Sequence, residues 1–257
     1  MAIDIETNDR AAGIYADLGD GGVWEMRSDS QVSECYIDMG YGQILMSGGS
    51  NTRFDDSYVA GRSIEGDPDV ALIDMTGNGQ VVADVKVNVD GNPTPWVFYI
   101  SGDRNSVDGV NIRTIRRIAV EITGDENKVH FTGTSFPTTD NTYDTVTISG
   151  DDNEVEGFVS PHGGSPANQS RYAVAITGTA DGNHTCVIDR NAQSGQYNHP
   201  SSGSNTRCAV LPGTPTAYTE SNVTTDRSYD ADSTTVDELA DVLGTLIADL
   251  RALGIVG

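Results

Sequence analysis

Val120-Glu121-Ile122-Thr123-Gly124-Asp125-Glu126-Asn127-Lys128-Val129 recurs, with variation, six times along the chain. Aligned on the glycine, the copies centre on Gly48, Gly77, Gly102, Gly124, Gly150 and Gly178, 22 to 29 residues apart. Four residues before each glycine stand Ile44, Ile73, Phe98, Val120, Val146 and Val174. Two before it stand Met46, Met75, Ile100, Ile122, Ile148 and Ile176. A hydroxyl comes immediately before it, from Ser47, Thr76, Ser101, Thr123, Ser149 and Thr177. Three residues after it come Asn51, Gln80, Asn105, Asn127 and Asn153, and the sixth copy reaches Asn183 after two extra residues.

Apolar residues at every second position, ending in Ser/Thr-Gly and a short polar turn, describe a half-buried strand entering a tight bend. Repetition at this period means that each copy is one unit unable to bury its apolar face alone. The expected fold is mainly β: a right-handed parallel β-helix of about six rungs, followed by a C-terminal α-helix. Each strand then pairs with its equivalent one turn along, at roughly 4.8 Å.

With 29 glycines in 257 residues, the glycine content exceeds the usual share of about 7%. The formal charge is -23, from 38 acidic and 15 basic residues, and the only lysines are Lys86 and Lys128. Nucleic acid is not an expected partner, because phosphate neutralisation needs clustered cations. Excess carboxylate with almost no lysine resembles proteins of extreme halophiles, where molar salt screens the self-repulsion. An acidic mesophilic surface protein is the alternative.

Cys186 and Cys208 are 22 residues apart, close to one rung. With Cys35 they make an odd, sparse set of three; they could pair across neighbouring coils or remain ordinary buried thiols. No zinc-ligand spacing occurs. The first ten residues lack a basic and apolar leader pattern, and there is no run of 18 apolar residues. Neither export by a cleavable signal nor membrane insertion is expected.

Residues 1–40 lack the repeat register and read as a capping or attachment region, since a first rung exposes an unpaired edge. Residues 41–190 carry the rungs, with polar loops at 134–144 and 160–171, where recognition or idle surface is expected. Residues 191–232, rich in Ser, Gly, Thr, Asn and Pro, read as a linker or extended segment.

Residues 233–257 differ in kind. Thr235 and Glu238 form a capping-box pattern. Val236, Leu239, Leu243, Leu246, Leu250 and Leu253 follow at alternating spacings of three and four, a heptad seam, and Gly254 stands where a helix ends. Ala240, Val242 and Ile247 widen the stripe, which favours three helices over two. Packing of one helix on its own β-helix is the other option.

The segment DRSYDADSTTVDELADVLGTLIADL, residues 226–250, resembles one found at the C-terminus of many tailed-virus structural proteins, among head fibres, spikes and tail-fibre-like proteins. With the acidic composition, the resemblance implies a virus of a halophilic, archaeal host. It supplies no site residue beyond this segment.

Paired carboxylates such as those some viral spikes use on polysaccharides cannot be singled out among 38 acids; Asp140, Asp144, Asp151, Asp152 and Glu154 are examples. His130, His162, His184 and His199 form no metal-ligand spacing. Asp103, Asp125 and Asp151 would form a column if the rungs stack in register. A structural cation such as calcium would relieve its repulsion, and so would salt. No other cofactor is expected. Sequons at Asn168, Asn183 and Asn222 permit glycosylation. The expectation is a virion structural protein without enzymatic activity: a homotrimeric spike, turret or fibre of the capsid or tail. Its expected partners are itself, capsid or tail proteins, and a host surface glycan or S-layer. A polysaccharide-degrading spike and a capsid decoration protein are the rivals.

Overall fold

The computed structural model describes residues 2–6, 9–18, 22–39, 42–61, 71–89, 96–135, 142–161, 169–190, 192–198, 204–207, 224–226 and 234–252, with the side chains of 249–252 left out. The chain divides into two compact units, Met1–Cys208 and Ala209–Gly257.

The first unit is a parallel β-solenoid. Its first sheet stacks nine strands in chain order: Ala2–Ile5, Val23–Met26, Gln43–Met46, Ile73–Met75, Trp96–Ile100, Ile118–Ile122, Val146–Ile148, Ser170–Ile176 and Ala192–Asn198. The expected register holds. Ile44 pairs with Ile73, Ile73 with Phe98, Phe98 with Val120, Val120 with Val146, and Val146 with Val174. These residues, and the column from Met46 to Ile176, are buried in one continuous core. Opposite them the second sheet supplies Val32, Phe54, Val82, Val107, Val129 and Val155, also stacked in register.

The stack extends beyond the six expected rungs at both ends. Ala2 pairs with Val23 and Val23 with Gln43, so residues 1–40 contribute two further coils instead of a separate cap. At the other end, Ala192–Asn198 pairs with Ser170–Ile176 and Thr206–Arg207 with His184–Thr185, inside the segment expected to be a linker.

The corner after each first-sheet strand explains the glycine. A Cβ on Gly77 would lie 1.7 Å from the carbonyl oxygen of Gly48; on Gly102, 2.0 Å from that of Gly77; on Gly124, 2.2 Å from that of Gly102. No side chain fits there, because consecutive coils touch backbone to backbone. Two residues on, Arg104, Glu126 and Asp152 adopt left-handed φ values of 56°, 57° and 55°, and Gly79 and Gly182 take the same place. Asp and Glu reach this region at a steric cost that the stack must offset.

Two hydrogen-bond ladders tie these corners together, running in opposite directions along the axis. Inside, Oδ1 of Asn105, Asn127, Asn153, Asn183 and Asn205 accepts the backbone N–H of Gln80, Asn105, Asn127, Asn153 and Asn183 respectively, at 2.8 to 3.0 Å. Outside, Oδ1 of Asp103, Asp125 and Asp151 accepts the N–H of Asp125, Asp151 and Asp181 at 2.7 to 2.9 Å.

Two aligned positions shift. Asn51 is the left-handed residue, at φ 72°, and the buried inner position falls to Thr52, because this turn holds one more residue. Gly178 stands at φ 67° with open space around its Cβ, and Ala180 precedes the ladder residue Asp181.

In the second unit, the helix Val236–Ala252 starts with the expected capping box: Glu238 N–H donates to Thr235 Oγ1 at 3.2 Å, and Thr235 N–H donates to Glu238 Oε2 at 3.4 Å.

The inner ladder makes a discriminating prediction. Asn127→Ala leaves the buried Asn105 N–H without its acceptor and should cost about 2 kcal/mol. Asp125→Asn keeps an Oδ1 acceptor on an exposed residue and should cost under about 0.5 kcal/mol. Urea unfolding of both variants reads the difference, and equal midpoints would contradict the assigned role of the inner ladder.

Candidate functional site

The helix divides its surface between two uses. Asp241 Oδ1 accepts the N–H of Thr224 at 3.0 Å, and Thr245 Oγ1 accepts that of Asp226 at 2.9 Å. Asp241 and Thr245 are four residues apart and so share one face, which the chain's own extended segment occupies; Gly244 and Thr245 are buried. The heptad seam lies opposite. Val236, Leu239, Leu243 and Leu246 are 84%, 53%, 55% and 51% exposed, and Ala240 beside them is exposed while Val242 and Ile247 are partly so. The structure thus aligns four of the six expected seam residues on one uncovered stripe. The side chain of Leu250, and all of Leu253 and Gly254, lie outside the described residues.

The other sequence-level candidates resolve as follows. The carboxylates of Asp103, Asp125 and Asp151 form the expected column, and each directs an oxygen to a backbone N–H of the next coil. Among the described residues, no group of three or more His, Cys, Asp or Glu could hold a metal. Asp144 is buried and bound bidentately by Arg171 at 2.5 and 2.9 Å, as a structural pair. His130 meets Asp108 at 2.9 Å and His184 meets Thr206 Oγ1 at 2.8 Å, both on the surface. Asp140, His162, His199, Asn168 and Asn222 lie outside the described residues.

The sequon at Asn183 is closed to modification. The residue is fully buried, and its amide nitrogen donates to Gly150 O and Asn205 Oδ1 at 3.0 Å each. Cys186 is disulfide-bonded, whereas Cys35 is a free buried thiol whose pKa burial pushes up. Cys208, whose bond to Cys186 is one of the two outcomes the spacing leaves open, is outside the described residues.

Sequence reasoning missed a column of stacked tyrosines, Tyr15, Tyr36 and Tyr58, in the second sheet. Their spacing of 21 and 22 residues carried the signal. It also missed the burial of Asp74, which sits in register between Leu45 and Tyr99 on the outer side of the first sheet. Burial pushes its carboxyl up to about 6, and among the described residues Oδ1 has no hydrogen-bond partner.

Comparison of the chain with protein-family models, curated proteins and solved structures finds no match.

Asp74 gives a pH dependence with a definite sign. Its pKa is higher in the folded chain than the ordinary 3.8, so the folded state holds a proton that the unfolded state releases. The stability this contributes is present below about pH 4 and is lost as pH rises through about 6. Asp74→Asn should therefore unfold at a higher temperature than the parent at pH 7, and at the same temperature at pH 4. A difference that does not change between the two pH values would refute the assignment.

Proposed function

We propose that this chain is a virion structural protein, a homotrimeric spike, turret or head fibre whose helix gathers three copies. In this reading the solenoid is a stiff arm, capsid or tail proteins hold the assembly, and its surface contacts the host. The observation that carries it is the uncovered seam of Val236, Leu239, Leu243 and Leu246 opposite a face the chain has already occupied. A helix of 17 residues, about 25 Å long, is marginal alone. Burying the exposed halves of its seam side chains contributes roughly 1 kcal/mol each, so association stabilises the helix as well as the assembly.

The flanking apolar residues favour three chains. Ala240, Val242 and Ile247 border the stripe on both sides, and a third helix covers such positions where a two-stranded contact leaves them wet. The resemblance of residues 226–250 to the C-termini of tailed-virus structural proteins points to the same assembly. Three chains also present any surface site three times, which multiplies weak contacts.

Leu243→Asp tests the seam. Sedimentation in molar salt should give a trimer for the parent and a monomer for the variant, with the β-sheet circular dichroism unchanged. A monomeric parent would sink the proposal. Antibody labelling of intact particles should decorate the head or tail surface, and unlabelled particles would remove the virion assignment.

A further inference from the structure

The early coils have a second corner, and it forms a groove. Gly13, Glu34, Asp56, Asp84 and Gly109 take left-handed φ values of 65°, 54°, 46°, 54° and 64° there. Two residues further on, Tyr15, Tyr36, Tyr58, Lys86 and Asn111 pair in register from coil to coil. The two columns enclose a groove of about 720 Å³ spanning Glu34 to Asn111, with Cys35 and Ser57 on its floor.

The walls differ in chemistry. Glu34, Asp56 and Asp84 on one wall make no side-chain hydrogen bond or ion pair among the described residues. This contrasts with the first corner, where Asp103, Asp125 and Asp151 each accept an N–H from the next coil. On the other wall the tyrosine rings stack face to face, with centroids 5.1 and 5.0 Å apart and planes 7° and 11° from parallel. They therefore turn edges and hydroxyls outward, and Lys86 and Asn111 continue the column with donors.

We propose that this groove binds an extended, uncharged polysaccharide lying along the solenoid axis. Free carboxylates at the coil spacing of roughly 4.8 Å are a row of acceptors for hydroxyl donors, and charge-assisted hydrogen bonds are among the strongest neutral partners can make. A row of like groups at a fixed interval suits a polymer with a repeating unit better than a compact ligand. The same carboxylates repel acidic sugars. A basic peptide is disfavoured because Lys86 lies in the groove. The inference rests on the proposed host contact only for the source of the glycan; binding itself belongs to the single chain.

Calorimetric titration of the full chain in molar salt with cellohexaose, maltohexaose and mannohexaose tests it, with hexagalacturonate as the acidic control. At least one uncharged hexasaccharide should bind, and hexagalacturonate at least tenfold more weakly. The double variant Asp56→Asn, Asp84→Asn retains left-handed corners, since Asn tolerates them, and should lose tenfold or more in affinity; Tyr36→Ala should do the same. Leu243→Asp, outside the groove, should leave the affinity per chain unchanged even if it dissolves the trimer. Binding of none of the three, equal or tighter binding of hexagalacturonate, undiminished binding by the double variant, or displacement by hexalysine would overturn the proposal.

Discussion

The close approach of one coil's corner to the next is the constraint on which the solenoid depends. Where a Cβ on Gly102 would stand 2.0 Å from the carbonyl oxygen of Gly77, the coils have no freedom to slide or tilt. The two ladders reinforce this from opposite sides. The inner amides reach toward the N-terminal end of the stack and the outer carboxylates toward the C-terminal end, so displacement along either direction breaks one set. Once the corner is fixed, the strands it launches must pair in register, and every outward residue falls into a column. Columns are therefore a by-product of the corner, whether they carry valine, aspartate or tyrosine.

What could be read from the sequence follows from how local each signal is. The apolar columns were legible because burial imposes period two on consecutive residues, as in Val120-Glu121-Ile122. The Asn105, Asn127 and Asn153 ladder was legible because one side chain does the same work each time. The first two coils were not: the second fills its inner position with the hydroxyl of Ser30, which reaches Arg27 O at 2.6 Å where later coils use amides. Asn51 misled for a related reason: one added residue in its turn placed an asparagine at the expected distance but on the outside.

The seam could be read because heptad spacing is local to one helix. Its openness could not, since that depends on the segment around Thr224 and Asp226 occupying the opposite face. The groove was less legible still. Its walls come from separate coils, and its turn uses Glu34, Asp56 and Asp84 at left-handed positions where glycine would have announced a corner. Likewise nothing about Asp74 in sequence distinguishes it from the other acids; its raised pKa arises from what its coil neighbours bury.

The two carboxylate columns show how one stacking rule yields two outcomes. At the first corner the acid directly precedes the left-handed residue, so its oxygen meets the N–H of the next coil and the charge is answered within the fold. At the second corner the acid is itself the left-handed residue, and among the described residues Glu34, Asp56 and Asp84 accept no such N–H. A shift of one position in the turn thus converts a stabilising carboxylate into an unanswered one. A chain of net charge -23 bears many such groups, and at the second corner they also face a wall of ring edges across a groove. The helix follows the same logic in another geometry: Asp241 and Thr245 satisfy backbone donors of their own chain, and the apolar seam is what remains unanswered.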